Sequence, residues 1–450
     1  MFQKILVANR GEIAVRIIRS CKQMGIETVA VYSTADKESL HVHLADEAVC
    51  VGAPPASQSY LNMENIVSAA IHTGAEAIHP GFGFLSENAK FAELCESCDL
   101  AFIGPSSKTI KDMGDKSRAR TLMKKAGVPL VPGSEYEVSL EEGRALMQEV
   151  GLPLLIKASA GGGGRGMRIV KNEESFESAY RAAKQEALAA FGHDGVYLEK
   201  LITNPRHVEV QILADKYGNT LHLFERDCSI QRRNQKVVEE APSNLQPSMR
   251  TAMFEAAIKA SRAVGYENAG TVEFIVSGDS FYFIEMNTRI QVEHPVSEMI
   301  TGMDLIREQI RVASGEKLEY KQSDITLRGH AIECRINAED PKKDFRPSPG
   351  RVAFLHIPQG PGVRFDSMVY TDYEIPPHYD SMIGKLIVHG NTRKEAILKM
   401  RAALEEFISE GITTNQWFLW MIMNHDAYMK NAVDTSFIAE HIQRLIRYET

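Results

Sequence analysis

Hydrophobic residues recur along the chain with the periods of strands and helices. The run 4–8 predicts a short buried strand, and apolar spacing over 13–24, closed by Gly25, predicts an amphipathic helix. A second strand is predicted over 28–32. Further segments that continue this order lie at 66–73, 77–79 and 87–98. Alternating strands and helices are typical of a parallel sheet with helices on its faces.

A later segment, 283–295, alternates polar and apolar residues very regularly. Extended backbone would place on one face Glu285, Asn287, Arg289, Gln291 and Glu293, and on the other Ile284, Met286, Thr288, Ile290 and Val292. The apolar face would pack into a core. The polar face mixes carboxylates, amides and a guanidinium, as a site for a cation and an oxyanion requires. A strand with one solvated face would alternate in the same way, but we favour the site because of this mixture.

This segment is predicted to form a hairpin with the strand 271–276. A two-residue loop would put Glu273 and Glu285 on opposite faces, whereas a three-residue loop over 278–280 would set them directly across from each other. Facing carboxylates repel by up to ~1 kcal/mol unless a cation lies between them. The sequence therefore predicts a Mg²⁺ site formed by Glu273, Glu285 and Asn287.

Four consecutive glycines, 161–164, lie between the predicted strands 154–157 and 167–170. Each glycine in a regular element costs about 0.5–1 kcal/mol relative to alanine, so the run indicates a loop. A plain linker is one interpretation. We favour a mobile loop whose N–H groups close over phosphate oxygens, with Lys157 and Arg165 supplying positive charge. The chain has no Walker phosphate-binding motif.

Two other strands carry polar groups. The strand 196–202 holds an acid and a base, Glu199 and Lys200, which fit either adenine recognition or a surface ion pair. The strand 207–213 places His207, Glu209 and Gln211 on one face and returns as a hairpin through a turn at 218–219. The polar and basic run 227–236 that follows could line an anion site.

Composition and charge narrow the class of protein. A length of 450 residues predicts two to four domains. A net charge of −8 argues against a protein that neutralises nucleic-acid phosphate or anionic lipid. No apolar run reaches the ~18 residues of a membrane helix, and charges interrupt any signal sequence near the start. We therefore expect a cytoplasmic protein that binds neither nucleic acid nor membrane.

A dinucleotide-binding domain is the rival interpretation of the N-terminal unit. Its first turn should read G-x-G-x-x-G, but only Gly11 is present there, and the near match at 81–86 follows the third predicted strand. We therefore predict an α/β unit over 1–115 that does not hold NAD. The second and third predicted units cover 116–202, around the glycine run, and 203–450, around the polar segment.

The chain resembles the biotin carboxylases of the ATP-grasp superfamily. The motifs that carry the resemblance are Ala-Asn-Arg-Gly-Glu-Ile-Ala (8–14), the glycine run after Lys157, Gln-Arg-Arg (231–233), the pair Glu273 and Glu285, Glu-Met-Asn-Thr-Arg-Ile-Gln-Val-Glu-His-Pro (285–295) and Gly-His-Ala-Ile-Glu-Cys-Arg-Ile-Asn (329–337). The resemblance covers essentially the whole chain. It implies an α/β (α+β) protein of ATP-grasp fold, with an N-terminal Rossmann-like domain, a mobile glycine-rich lid and a C-terminal mixed α/β domain.

The resemblance also implies the reaction: ATP phosphorylates bicarbonate to carboxyphosphate, and the carboxyl group passes to a ureido nitrogen of biotin. The implied ATP contacts are Lys116, Lys157, Gly163, Gly164, Glu199, Lys200, Leu201, Ile202, His207, Gln231, Asn234, Glu273 and Glu285. The implied bicarbonate contacts are Lys236, Arg289, Gln291 and Val292. Glu293 would be the general base, and Arg335 would stabilise the biotin enolate. Two ions of Mg²⁺ or Mn²⁺ would accompany ATP.

The sequence departs from the family pattern at Asn234, where many members have histidine. Asparagine still donates and accepts hydrogen bonds, so we expect ATP binding to survive.

Features that the sequence lacks indicate partners. No Ala-Met-Lys-Met sequence or close variant is present, so biotin is expected on a separate carrier protein. The chain also ends soon after its last predicted elements, without room for a carboxyltransferase. We expect a subunit of acetyl-CoA carboxylase, acting in fatty acid synthesis with a biotin carboxyl carrier protein and carboxyltransferase subunits. A subunit of pyruvate or propionyl-CoA carboxylase is the alternative. The resemblance implies a homodimer.

Two other functions remain open at this stage. An ATP-grasp ligase with a different acceptor would share the acyl phosphate chemistry, and Arg335 and dependence on bicarbonate distinguish it. A regulatory module that only binds ATP would have no use for a general base such as Glu293.

Overall fold

The N-terminal part of the computed structural model, which describes residues 1–159 and 166–448, is built on a five-stranded parallel sheet. Its strands, in order across the sheet, are Glu47–Gly52, Glu27–Ser33, Lys4–Val7, Ala77–His79 and Ala101–Phe102. Its helices are Gly11–Gln23, Leu40–Leu44, Met63–Thr73 and Ala89–Ser97. The predicted parallel α/β unit is thus confirmed. Gly25, with a φ of +72°, follows the first helix as expected.

The strand order of this sheet reverses between its first and fourth strands along the chain, Lys4–Val7 and Ala77–His79. In open parallel sheets such a reversal leaves a crevice outside the carboxyl ends of the two strands. The segments 9–13 and 82–84 follow these strands and line the largest cavity described below. The sheet therefore positions one wall of the candidate site.

A small antiparallel sheet follows. Its strands, in order, are Met167–Val170, Leu154–Ala158 and Val196–Lys200, and its helices are Leu140–Val150 and Phe176–Phe191. Phe176, Leu154 and Leu198 are buried between the sheet and the helices. The helices Ser107–Gly114 and Lys116–Lys125 join this region to the N-terminal sheet. The predicted loop at 161–164, with Arg165, lies outside the described residues.

The largest sheet has eight antiparallel strands. In order they are Ser280–Asn287, Asn268–Ser277, Arg206–Ala214, Thr220–Arg232, Gln235–Ala241, His330–Asn337, Met382–Gly390 and Val363–Ser367. The register aligns Glu285, Glu273, Glu209 and Arg226 on four neighbouring strands. Residues directly opposite each other in antiparallel strands project to the same face. A row of charged side chains therefore crosses one face of this sheet.

The predicted hairpin is present, and Glu273 lies directly opposite Glu285, but the loop prediction was wrong. Ser277 pairs with Ser280, so the turn has two residues, and the register shifts between the pairs Phe274–Phe283 and Glu273–Glu285. Ile284 is the extra residue of a β-bulge. The bulge keeps Phe283 in the core while Glu285 reaches the opposite face. It also turns Ile284 toward the cavity rather than into the core, as alternation alone had predicted.

The remaining elements are helices, short strands and 3₁₀ turns. The helices are Pro247–Ala263, His294–Thr301, Leu305–Ala313, Arg393–Glu406, Gln416–Met423, Asp426–Met429 and Phe437–Leu445. The short strands are Glu339–Asp340, Arg346–Pro347, Gly350–Arg351, Phe354–His356, Glu374–Ile375 and Ile408–Glu410. The 3₁₀ turns are Thr34–Asp36, Ala56–Gln58, Glu173–Ser175, Gln322–Asp324 and Pro341–Lys343. Every helix in the part of the chain that the structure describes is too short or too polar to span a bilayer.

Candidate active site

A cavity of about 710 Å³ lies where the N-terminal sheet, the small sheet and the large sheet meet. Pockets of roughly 300–1,000 Å³ are the usual size for small-molecule sites. The predicted site residues that line it are Lys116, Lys157, His207, Gln231, Asn234, Lys236, Glu273, Glu285, Asn287, Arg289, Gln291, Val292, Glu293 and Arg335. The strand Ser280–Asn287 ends before the polar segment does, yet all five of that segment's predicted polar side chains reach the cavity.

Lys236 is the centre of the charged row. Its Nζ donates to Glu209 Oε2 at 2.5 Å, to Glu273 Oε1 at 3.0 Å and to Glu293 Oε1 at 2.6 Å. Burial favours the neutral amine, but the three carboxylates outweigh it and raise the pKa of Lys236 well above its ordinary value. Lys236 thus contacts three buried carboxylates, and each of them also lies beside a second basic side chain: Arg226 for Glu209, His207 for Glu273 and Arg335 for Glu293.

Glu293 contacts both Lys236 and Arg335, which lies in the strand His330–Asn337. Its Oε1 accepts from Lys236, and its Oε2 accepts from Arg335 Nη2 at 3.0 Å. Burial opposes ionisation, yet Lys236 holds the pKa of Glu293 below its ordinary value. Arg335 also donates through Nε to Glu239 Oε1 at 2.6 Å. Burial raises the pKa of Glu239 to about 7, so the two carboxyls beside Arg335 differ in acidity.

Arg226 is the last residue of this row and is fully buried. Its guanidinium donates to Glu209, Gln211, Ser297, Thr271 and Gln291, over distances of 2.5–3.1 Å. The Gln291 amide is thereby fixed at both ends, since its Nε2 donates to Glu273 Oε1 at 2.8 Å. Sequence reasoning missed Arg226 and gave Glu209 no role. Arg226 lies between Glu225 and Asp227 and carries no local signal of burial, whereas Glu209 lies between two valines inside a strand.

The predicted metal ligands are adjacent but have unequal surroundings. Glu273 Oε1 accepts from Lys236, from Asn287 Nδ2 at 2.8 Å and from Gln291. Although burial opposes it, Lys236 holds the pKa of Glu273 well below its ordinary value. Glu285 has no hydrogen bond or ion pair among the described residues, and burial together with Glu273 raises its pKa.

This arrangement fits a divalent cation. A half-buried carboxylate without a partner among the described residues, facing a second carboxylate, is stabilised when a divalent cation lies between them. The third predicted ligand, Asn287, already uses its Oδ1 to accept from Arg289 Nη2 at 2.9 Å. A second group that could hold a metal shares Glu273 and adds His207 and Glu209. Both of its carboxylates already contact Lys236, whereas Glu285 does not. The pair Glu273 and Glu285 is therefore the better metal position.

His207 lies beside the same acidic row. Its Nε2 lies 3.0 Å from Glu273 Oε2, and Gln231 Nε2 lies 2.8 Å from its Nδ1. Burial alone would lower the pKa of His207, but Glu273 raises it to about 9. Asn234 and Arg233 form the turn between the strands Thr220–Arg232 and Gln235–Ala241. Both have a positive φ, +63° for Asn234 and +50° for Arg233. Asparagine tolerates that left-handed backbone, which explains why it is accepted there.

Arg289 completes the wall next to the N-terminal sheet. Its Nε donates to Glu87 Oε2 at 3.0 Å, and Glu87 Oε1 accepts from the Thr288 N–H at 3.2 Å. Sequence reasoning missed Glu87, although it follows directly on the near match at 81–86. This contact ties the polar segment to the N-terminal sheet.

Some predicted nucleotide contacts lie away from the cavity. Glu199 is buried in ion pairs with Arg120 and with Lys157 Nζ at 2.5 Å. The Lys200 Nζ donates to the carbonyls of Gly151 and Leu152, at 3.1 and 2.8 Å. The side chains that the cavity lining does not include are those of Glu199, Lys200, Leu201 and Ile202. Gly163 and Gly164 lie outside the described residues.

Family models match three successive parts of the chain. Residues 1–110 match "Biotin carboxylase, N-terminal domain", residues 115–321 match "Carbamoyl-phosphate synthase L chain, ATP binding domain", and residues 333–440 match "Biotin carboxylase C-terminal domain". Together these matches cover most of the chain.

Relatives are similar over their full length. The "Biotin carboxylase" of Nostoc sp. is 59% identical over 442 residues, covering 98% of this chain and 99% of the relative. A biotin carboxylase of Campylobacter jejuni, solved with a nucleotide, has a TM-score of 0.95 at 49% identity, covering 98% and 99% of the two chains. The biotin carboxylase domain dimer of Hydrogenobacter thermophilus 2-oxoglutarate carboxylase, solved with MgADP, ADP and bicarbonate, has a TM-score of 0.95 at 51% identity, with both chains fully covered.

Proposed function

This chain belongs to the biotin carboxylases, and on that premise we propose that it is the biotin carboxylase subunit of an acetyl-CoA carboxylase. The resemblance and the ATP-grasp fold predicted from the sequence are confirmed. The chain is a biotin carboxylase, an ATP-dependent ligase that uses Mg²⁺. In the proposed setting it carboxylates carrier-bound biotin, the first half-reaction of malonyl-CoA formation in fatty acid synthesis.

In the first half-reaction, Lys236, Arg289, Gln291 and Val292 hold bicarbonate, and Glu293 takes its proton. A bicarbonate oxygen then forms a bond with the γ-phosphorus of ATP, and the bond from that phosphorus to ADP breaks. Glu293 starts as a carboxylate, since Lys236 lowers its pKa. When bicarbonate takes over contacts with Lys236, that stabilisation weakens, and Glu293 becomes a stronger base.

In the second half-reaction, the bond between the carboxyl carbon and the phosphate oxygen breaks, and the carboxyl carbon forms a bond with a ureido nitrogen of biotin. The released phosphate takes the proton that this nitrogen loses. Arg335 stabilises the biotin enolate that this proton loss creates. The observation that carries the proposal is the position of Glu293, which contacts Lys236 through one oxygen and Arg335 through the other. One carboxylate therefore lies between the bicarbonate position and the biotin position.

The remaining role assignments are also proposals. ATP is bound by Lys116, Lys157, Gly163, Gly164, the segment 199–202, His207, Gln231, Asn234, Glu273 and Glu285. Glu273 and Glu285, with Asn287, would hold Mg²⁺ or Mn²⁺, as two ions when ATP is bound, and such ions neutralise charge on the transferring phosphoryl group. Lys116 fits a phosphate contact, because it lines the cavity and because an anion nearby would oppose the lowering of its pKa by burial.

The proposed partners follow from the chemistry. The biotin is attached to a separate carrier protein, and carboxyltransferase subunits take the carboxyl group to acetyl-CoA. We also propose a homodimer in the cytoplasm, and three working units at 1–115, 116–202 and 203–450. The dimer proposal is supported by the domain dimer of the Hydrogenobacter relative.

The first experiment is ADP release with Mg·ATP and bicarbonate, with and without free biotin. Stimulation by biotin that disappears when bicarbonate is removed is the expected result. Turnover that ignores biotin would point to another acceptor, and absence of turnover would support a regulatory ATP-binding module.

The second experiment identifies the final acceptor. Labelled bicarbonate is supplied to this protein, a biotinylated carrier and carboxyltransferase subunits from the same cells, with acetyl-CoA, propionyl-CoA or pyruvate in parallel. Label in malonyl-CoA is expected. Label only with pyruvate or propionyl-CoA would contradict the acetyl-CoA assignment, and would leave the biotin carboxylase activity itself unaffected.

A further inference from the structure

A second cavity, of about 670 Å³, shares no lining residue with the candidate active site. It lies beside the helices Pro247–Ala263 and Arg393–Glu406 and the segment 429–431. Five of its lining residues are basic: Arg250, Arg393, Lys394, Arg401 and Lys430. Among the described residues that line it, none is acidic, although the whole chain carries a net charge of −8. Its local charge is therefore opposite to that of the protein.

Two of these cations are already neutralised. Arg250 contacts Glu225 at 2.8 Å, and Arg393 contacts Glu240 at 2.7 Å. The other three, Lys394, Arg401 and Lys430, have no carboxylate within 4.0 Å anywhere in the described chain. Three uncompensated cations at one cavity favour an anion with more than one charge.

The cavity also has an apolar part. Ile397 is buried in the wall, while Leu398 and Met429 are 52% and 41% exposed at the cavity. Positive charge and apolar surface thus occur together at this cavity.

We propose that this cavity binds a small phosphate monoester that carries an apolar group. The phosphate concentrates two negative charges in one group, which fits Lys394 and Lys430. Arg401 would contribute through Nη1, because its Nε and Nη2 already donate to the Met423 carbonyl at 3.1 and 2.7 Å. The apolar group lies against Leu398 and Met429. The cavity has the volume of a small-molecule site.

The test uses methyl NMR of protein labelled at its 18 methionines, with the nucleotide site saturated with Mg·ADP. Met429 reports on the second cavity, and Met382 reports on the first. The Met429 resonance is identified with the variant Met429→Leu. The probes are phenyl phosphate, phenol, benzoate and inorganic phosphate, which separate the apolar group, a single charge and the phosphate.

Phenyl phosphate is expected to shift the Met429 resonance saturably, and to bind about tenfold more tightly than phenol, benzoate or inorganic phosphate. The double variant Lys394→Glu/Lys430→Glu should weaken binding by about tenfold or more. The matched control Lys108→Glu/Lys259→Glu changes two exposed lysines elsewhere and should alter affinity less than about twofold. A shift at Met382 instead of Met429, equal binding of phenol, or equal weakening by both double variants would overturn the proposal.

Discussion

Two clusters of buried charge in this protein differ in how the pKa values of their carboxyl groups are shifted. In the active-site cluster, Lys236 serves Glu209, Glu273 and Glu293. In the second, the arginine cluster, Arg16 and Arg364 contact Glu298, Asp304 and Asp366. There Arg364 binds Asp366 through two N–H groups, at 2.9 and 2.6 Å, and Glu298 through a third, at 2.7 Å. The arginine cluster lines neither of the two cavities described above.

The pKa shifts separate the two clusters. In the arginine cluster, the arginines overcome burial and lower the pKa of both Glu298 and Asp366. In and around the active-site cluster the shifts diverge: the pKa of Glu273 is lowered, whereas that of Glu285 is raised by burial. Carboxyl groups whose pKa values are all lowered stay charged and hold elements together, whereas carboxyl groups whose pKa values are pushed apart are suited to proton transfer and cation binding.

Removing the proposed base should have the largest effect. Glu293→Gln keeps the shape of the side chain but cannot take a proton, so biotin-dependent ADP release should fall by about 10²–10⁴-fold. The matched control is Glu333→Gln, because Glu333 is also fully buried and burial raises its pKa. We expect the control to retain turnover within about threefold. If Glu293→Gln retained as much, Glu293 would not be the base.

The arginine cluster should show the reverse behaviour. Arg364→Met leaves Glu298 and Asp366 short of a buried cation, so the free energy of unfolding should fall by about 3–5 kcal/mol. The molecules that remain folded should keep their kcat, since the cluster lines no part of the active-site cavity. Urea unfolding and turnover measure the two effects. Arg262→Met, at an exposed arginine, should change stability by less than about 0.5 kcal/mol; a large loss of kcat in Arg364→Met would break the comparison.

Glu285→Gln should separate activity from stability inside the active-site cluster. Losing this carboxylate weakens the proposed metal position, so Mg²⁺-dependent turnover should fall by about 10²-fold. Stability should stay constant or rise by up to ~1 kcal/mol, because a like-charge contact with Glu273 is removed. A Mg²⁺ titration of ADP release and urea unfolding give both values. Unchanged turnover at low Mg²⁺ would remove the metal assignment, and Glu255→Gln, at an exposed carboxylate, is the control.

The last expected effect is a pH dependence of stability. The pKa of His207 rises from 6.5 to about 9 on folding, so its contribution is fully present below pH 6.5 and is lost as the pH rises through 9. Relative to His207→Gln, the wild type should lose up to ~3 kcal/mol of unfolding free energy across that window. Urea unfolding at several pH values measures it. Parallel curves for the two proteins would show that His207 is neutral in the folded state.

The sequence predicted the N-terminal elements and the polar residues that one segment, 283–295, brings to the cavity. Periodicity accounts for Glu285 and Asn287, which lie in the strand Ser280–Asn287. Arg289 and Glu293 reach the same cavity from the residues that follow the strand, which alternation alone does not explain. The pairing of Glu273 with Glu285 was also predicted correctly, although the three-residue loop on which that prediction rested is replaced by a two-residue turn and a β-bulge.

Long-range contacts could not be predicted in the same way. Lys236 appears in the sequence as one base after a turn, and its three carboxylates come from three different strands or loops. Arg226 carries no local signal of burial. The sequence motif also could not show that the Lys200 side chain turns to backbone carbonyls, because that depends on the neighbouring segment 151–152.

The bulge at Ile284 makes the hairpin tip independent of the charged row. Gly278 and Asp279 are exposed, and the register shift lies between them and Glu285. The sequence of the tip can therefore be changed without moving Glu273 and Glu285, provided that Phe274 and Phe283 still pair. This makes residues 278–279 a suitable attachment point for a fluorophore or a short peptide tag. A label attached at this hairpin would report on the region next to the active site.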